Sequence, residues 1–506
     1  MIILKKYSPI FVLIPLYILS FFSIHYFDTG YWYDEIIVTN MSTQPLQMLL
    51  DTLLAEPHPL GFYLLLRLVD VSDFVSTRTF VLTVSFLITV TSLYWAINKG
   101  IIRRYSLYFP LFLLLYSPLW ISISSNIKQD SVTAPLFLFS IFVGIHSYEK
   151  KDISTLWVLL FIFLLSFFFG YINSIKILVI LLGFCFYLYY KNGNSMRERR
   201  FLVPGVLALP FLLGYFLVFG YRQYLTNASR FSWLADQFQG IYSLFRGAVA
   251  GPYIKMEYWY ISDLIFLCSL FMVFMYIYNI KASRYVFKLF FPFILLCFFY
   301  FWRGVSRDRY CIELFILYFL MWGKVLNDVY CACTTNFRKM LFFSGLVLYG
   351  CVGFCTFLGA NKSFYNYRLQ NEYISQLLST GLTGLVDRHP NESYIRKIGY
   401  FRNNTHIIPI NLNFPLPEST EITRDLLKMD GVYQRKELED YRITIRSLNI
   451  YQFLYIMGDT SYPGVVPQYF DPDLEELKFL NHYCESNTFH FDFSKYFILF
   501  YGCNFE

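Results

Sequence analysis

From Ile10 to Leu358 the chain passes repeatedly through apolar runs of about 20 residues, the length at which a helix crosses a hydrocarbon core. In such surroundings every backbone N–H and C=O must be bonded within the chain, which restricts the runs to helices. Only 15% of the residues are charged and 56% are hydrophobic, whereas soluble domains carry about 25% charged residues. The sequence therefore predicts an all-α polytopic membrane protein over 1–358. Its net charge of +7 is scattered through short loops and forms no basic stripe, which argues against a nucleic-acid partner.

Hydropathy predicts eleven spans, near 9–27, 79–98, 105–122, 131–148, 154–170, 176–190, 201–220, 261–280, 287–302, 310–323 and 340–358. The basic stretch Met1 to Lys6 leads into the first with no small-x-small site after it, so it reads as an uncleaved span. Lys and Arg in short loops set the orientation. With the N-terminus inside, the inner segments hold Lys5 and Lys6, then Lys99, Arg103 and Arg104, then Lys150 and Lys151, then Arg197, Arg199 and Arg200. An odd number of spans places the C-terminus outside. Thr43–Leu54 and Leu60–Val71 carry apolar residues at helical spacing and read as amphipathic helices on the outer surface. Past Leu358 the composition turns polar, and 359–506 reads as a small extracytoplasmic α/β or α+β domain. Cys484 and Cys503 lie in this tail, where an oxidising compartment would allow a disulfide holding the terminal strand Tyr496–Tyr501.

Isolated charge beside hydrocarbon is costly, so ionisable groups at a membrane boundary are functional candidates. The predicted outer side collects many of them. The first loop contributes Asp34 and Glu35, within Gly30-Tyr-Trp-Tyr-Asp-Glu-Ile, and then Glu56 and His58. Later loops add Asn126, Lys128 and Asp130, then Tyr171, Asn173 and Lys176, then the large loop 221–260, then Arg303, Arg307, Asp308, Arg309 and Tyr310. Taken singly, each has a plain structural reading. The acidic pair can end a helix among headgroups, and Lys128 can snorkel. His58 between two prolines can shape a turn, and Arg307 and Arg309 can pair with Asp308 and anionic lipid.

Together on one face, these groups suit transfer from a lipid-anchored phosphate donor. Cations hold the phosphate through charge-assisted bonds, with arginine favoured for forked contacts. A carboxylate near the acceptor can take the proton of an attacking hydroxyl, while the cations stabilise the departing phosphate. Inversion by single displacement needs one base, and retention would need a second carboxylate as nucleophile. A lipid-linked saccharide flippase or polysaccharide transporter is the main rival, and it would place charges inside the spans along a path. No resident cofactor is implied. Acids in two outer loops leave a divalent metal open, although the cations at hand can do the same work.

The order of first span, Asp34-Glu35, surface helix and His58-Pro59-Leu60-Gly-Phe-Tyr resembles the polyprenyl-phosphate-sugar transferases of the GT-C superfamily. Within it, the protein mannosyltransferase and aminoarabinose transferase group is the most similar. Asp130 resembles that group's second acidic position at the outer end of a later span, and Arg309-Tyr310 resembles its late Arg-Tyr. The likeness covers roughly 1–150 and 300–323. It implies a GT-C-like fold whose soluble tail caps an outward-facing cavity. It also implies that Asp34 or Glu35 acts as catalytic base or positions the acceptor, with the pattern favouring Asp34 as base, and that Asp130 and Glu56 are a second acidic, acceptor-positioning set. His58, Lys128, Arg307, Arg309 and Tyr310 are then the contacts to the donor phosphate. One element departs from the pattern: it reads His-Pro-Leu-Gly, without a second proline, which puts the geometry at Gly61 in question. Length, span count and tail further resemble the phage-encoded serotype-converting glucosyltransferases that decorate O-antigen. The implied partners are an undecaprenyl-phosphate sugar donor, a glycan or lipid-linked acceptor, and membrane lipid. The implied location is a bacterial inner membrane with the site facing the periplasm.

Overall fold

The computed structural model describes residues 2–27, 33–55, 59–71, 73–104, 107–150, 153–191, 200–215, 312–332 and 335–340, isolated positions as far as 355, and short segments between 383 and 501. The chain divides into two compact units, one of Met1–Tyr26 with Met41–Gly359 and one of Phe27–Asn40 with Ala360–Glu506.

The first unit is built of helices. Following α1 (Ile2–Phe27) and α2 (Tyr33–Thr43), which straddles the two units, come α3 (Leu46–Ala55) and α4 (Leu60–Leu66). Next are α5 (Phe74–Asn98), α6 (Ile101–Arg104), α7 (Tyr108–Leu115) and α8 (Pro118–Ser125). The series ends with α9 (Asp130–Lys150), α10 (Ile153–Phe169), α11 (Tyr171–Lys191), α12 (Val203–Tyr215) and, farther along the chain, α13 (Ile312–Ala332). Among the described residues, α5 over Val75–Asn98 and α9 over Asp130–Ser147 are long and apolar enough to cross a membrane. The predicted spans at 261–280 and 287–302, with the loop 221–260, lie outside the described residues.

The helices keep an apolar core, with Phe137, Phe142 and Phe163 fully buried, and differ from a soluble bundle in their outer faces and in the small hydroxyls they bury. Phe22 of α1, Leu87 of α5, Phe161 of α10 and Phe186 of α11 are exposed, while Ser92, Thr133, Ser140 and Ser166 are buried. Lipid tails are as apolar as leucine and give no drive to bury it, so small hydroxyl side chains collect where helices approach. Several return a hydrogen bond to their own helix: Thr89 to the Ser85 carbonyl at 2.8 Å and Ser92 to that of Ile88 at 2.7 Å. A hydroxyl pair, Ser147 with Thr155, joins α9 to α10 across their short connection.

Local chemistry sets the helix ends. Asp73 caps α5 by accepting from the amides of Val75 at 3.1 Å and Ser76 at 3.3 Å. Pro45 separates α2 from α3, since a residue before proline is pushed out of helical geometry and Gln44 occupies that position. Arg67, the C-cap of α4, donates to the Ser42 carbonyl at 2.9 Å and to that of Gln44, satisfying carbonyls at the end of α2.

The structure corrects three sequence-based boundaries. The span predicted at 105–122 is two helices, α7 and α8, bent by 63°. Pro118 has no N–H to donate and disfavours helix at Ser117, whose hydroxyl instead caps α8 by accepting from Trp120 at 3.2 Å. The residues assigned to a loop at 171–176 form the first turns of α11. A single residue, Gly170, links α10 to α11, and helical bonding runs through it, from Gly170 N–H to Ser166 at 2.7 Å and from Ser174 N–H to Gly170 at 2.9 Å. Finally, α13 continues past the predicted end at 323 to Ala332.

The second unit holds a six-stranded sheet of β1 (Thr383–Asp387), β2 (Ile407–Asn411), β3 (Tyr433–Gln434), β4 (Phe453–Ile456), β5 (Glu485–Phe491) and β6 (Lys495–Tyr501). The strand order is β3-β2-β1-β4-β6-β5. Neighbours among the first four pair in parallel, and β6 joins antiparallel to both β4 and β5, with His490 opposite Tyr496 near the hairpin end. Parallel neighbours need crossovers of about a dozen residues or more, and the intervals 388–406 between β1 and β2 and 412–432 between β2 and β3 are long enough. Cys484 and Cys503 lie outside the described residues.

Candidate functional site

Four polar side chains from three helix starts meet in the first unit. Asp130 is the first residue of α9, Asn173 and Lys176 lie in the first two turns of α11, and Glu313 is in the first turn of α13. Trp95 near the end of α5 packs on Phe139 and His146 of α9, so α5 and α9 run parallel. Phe109 at the start of α7 packs on Tyr330 near the end of α13, so that pair runs antiparallel. The alternation brings the first turns of α9, α11 and α13 to one end of the bundle.

Here the side chains form a connected network. Asn173 Nδ2 donates to Asp130 Oδ1 at 2.9 Å and to Thr133 Oγ1 at 2.5 Å. Lys176 Nζ donates to Asn173 Oδ1 at 2.9 Å and pairs with Glu313 Oε2. All are buried: Asp130 and Asn173 at 5% exposure, Lys176 at 1%, and Thr133 and Glu313 at 0%. Both acids sit in the first turn of their helices, where the positive end of the helix dipole favours an anion. Gly170 eases the approach, because a Cβ there would lie a tight 3.0 Å from the Thr133 methyl, beside Asn173 Nδ2 at 3.6 Å.

The geometry at Gly61, which the missing second proline put in question, is set by close packing. In α4, which opens directly after Pro59, a Cβ at position 61 would lie 2.3 Å from the Phe168 carbonyl oxygen in the last turn of α10. Only a residue without a Cβ lets α4 seat there, with Phe62, Tyr63 and Leu66 buried. Because Gly170 follows directly, the helix after Pro59 rests on the same corner that delivers Asn173 and Lys176.

Of the residues singled out in sequence, Glu35 is fully buried in the first turn of α2, and its carbonyl accepts from Thr39 Oγ1 at 2.8 Å. Asp34 precedes it in the same turn. These two belong to the second unit, whereas Asp130 belongs to the first. Lys128 is half-exposed in the turn before α9, where its carbonyl accepts from the Ser131 amide at 3.1 Å and hydroxyl at 2.6 Å. Glu56, His58, Arg307, Arg309 and Tyr310 lie outside the described residues. The sequence reading gathered Asn173 and Lys176 as outer polar groups but gave them no role, and it missed Glu313 altogether. The signal was present: Glu313 is the lone acid in the apolar run from Cys311 to Leu320. A second buried cation, Arg78, lies in the second turn of α5. Among the described residues no group of three His, Cys, Asp or Glu side chains stands ready to hold a metal.

No protein-family model matches the sequence, and no curated protein matches it. Among solved structures the chain is similar to ArnT from Cupriavidus metallidurans. In the form bound to undecaprenyl phosphate the likeness covers 97% of each chain, with a TM-score of 0.50 and 11% identity. In the apo form it covers 97% of each chain, with a TM-score of 0.53 and 10% identity. At such identity the likeness is one of fold: this chain has an ArnT-like polytopic helical membrane fold.

Proposed function

We propose that the protein is a GT-C-type glycosyltransferase that moves a sugar from a polyprenyl-phosphate donor to a hydroxyl of a cell-envelope glycan on the periplasmic face of a bacterial inner membrane. The observation that carries this is the fold, shared over nearly the whole of both chains with a protein solved in complex with undecaprenyl phosphate. The buried carboxylates Glu35 and Asp130 support it, because an acid kept in such surroundings is costly and the reaction needs one as base and one to position the acceptor.

In this reading the acceptor oxygen attacks the anomeric carbon, and the carbon–oxygen bond to the phosphate breaks. The polyprenyl phosphate leaves with the bonding electrons. The acceptor's proton passes to Asp34 or Glu35. His58, Lys128, Arg307, Arg309 and Tyr310 hold the phosphate and stabilise the charge that develops on it. Asp130 and Glu56 orient the acceptor hydroxyl. Single displacement inverts the anomeric centre. The likeness to serotype-converting enzymes favours glucose as the sugar and O-antigen as the acceptor. The 1–358 region is the catalytic membrane domain in this scheme, and 359–506 is an extracytoplasmic domain.

The test is transfer in vitro from undecaprenyl-phosphate sugars by the wild type, Asp34→Asn and Glu35→Gln, each shown to insert normally. Loss of about a hundredfold or more in at least one variant is expected for removal of a general base. Full transfer by both variants would refute the assignment of the base.

A further inference from the structure

We infer that Glu313, Lys176 and Asn173 form a relay of fixed polarity that positions the Asp130 carboxylate, so that Lys176 and Asn173 are positioning residues for this acid. The inference rests on the proposed transferase reading for its catalytic consequence, and on the geometry alone for its structural one. An ammonium has only donors and a carboxylate only acceptors. Asn173 lies between one of each, with Lys176 Nζ 2.9 Å from its Oδ1 and its Nδ2 2.9 Å from Asp130 Oδ1. The lysine therefore settles which end of the amide faces the aspartate, and the amide is held with its NH2 toward Asp130.

Glu313 has a separate part. It balances Lys176 at the far end, leaving the relay anchored on a helix 137 residues away in sequence. Fastening α11 to α13 would need only the ion pair. A buried ion pair is in any case a poor fastener, since apolar side chains of similar volume often do as well or better. The bridging amide adds what a fastener lacks, a directed bond to the acid at the start of α9. Other charged groups on elements packed against α9 at this end are Arg78 of α5 and Lys128 in the preceding turn. The last turn of α10 and the end of α8 contribute no charge there.

Exchanging the pair, Lys176→Glu with Glu313→Lys, keeps the ion pair but reverses the relay. The carboxylate at 176 then takes the Asn173 NH2, and the amide oxygen is turned against Asp130. Transfer from undecaprenyl-phosphate sugar is expected to lose about tenfold to a hundredfold in kcat, the loss for one hydrogen bond to a charged group. The donor KM should stay near wild type, the unfolding temperature should fall modestly for the lost bond to buried Asp130, and Lys176→Arg, which keeps the polarity, should retain kcat. A cryo-electron microscopy map of the exchanged protein should show Asp130 moved off Asn173. Unchanged kcat with Asp130 still bonded to Asn173 would overturn the relay. If the wild type transfers no polyprenyl-phosphate sugar, the transferase reading fails. The map then judges the relay by itself, with displacement of Asp130 upholding it and an unmoved Asp130 overturning it. If the exchanged chain does not fold, Asn173→Leu cuts the link and spares the ion pair; the same loss supports the relay and none refutes it.

Discussion

Gly61→Ala measures how tightly the helix after Pro59 is seated. The added Cβ would lie 2.3 Å from the Phe168 carbonyl oxygen and 2.4 Å from its Cδ1. The ring can turn aside. The carbonyl cannot, because it belongs to the last turn of α10, two residues before Gly170, through which the helical bonding passes. Reaching an ordinary contact of 3.4 Å therefore requires α4 to lift by about 1 Å. Overpacking of this kind costs about 1–3 kcal/mol. The better helix propensity of alanine returns at most about 1 kcal/mol. Lifting α4 also loosens Phe62, Tyr63 and Leu66, all buried, so a net loss of about 2 kcal/mol is expected. Gly183→Ala is the control: it is exposed within α11, and nothing lies within 4 Å of its added Cβ. That change should be neutral or stabilise by up to about 1 kcal/mol. Thermal unfolding of the two purified variants beside the wild type, followed by intrinsic fluorescence, separates the cases. If Gly61→Ala unfolds at or above the wild-type temperature, α4 is not packed against the α10 carbonyl and the reasoning fails.

Other expectations concern single contacts. Lys176→Met leaves Glu313 buried without its cation and should cost about 3–5 kcal/mol. The double change Lys176→Met with Glu313→Leu should recover most of that in the same unfolding assay, and a harmless single change would contradict the ion pair. Asp73→Ala removes both cap bonds of α5 and should cost about 1 kcal/mol. Amide hydrogen exchange at Val75 and Ser76 should then rise while the middle of α5 is unaffected. Ser117→Ala should cost a similar amount by freeing the Trp120 amide at the start of α8.

Much of the helical unit was legible in the sequence because it depends on short-range physics. Apolar length alone predicts α5 and α9, and apolar spacing predicts helices within 43–54 and 60–71, of which the second ends already at Leu66. Asp130 could be singled out because an acid beside hydrocarbon is rarely idle. The break at Ser117-Pro118 is equally local in origin, but hydropathy averages across it and merges the two helices.

Other features needed the tertiary structure. A helix that is apolar nearly all round carries no stripe to say which face meets a neighbour. Nothing in the local sequence therefore tells that Lys176 faces Glu313, 137 residues on, or that Asn173 faces Asp130, 43 residues back. The same holds for Gly61, whose need for a missing Cβ shows only when the Phe168 carbonyl appears beside it. Sequence determined the membrane class, the helices and a list of polar candidates, because burial of apolar length and local backbone chemistry act within one segment. Packing decided which candidates touch, because only the alternation of helix directions brings three distant helix starts to one end of the bundle.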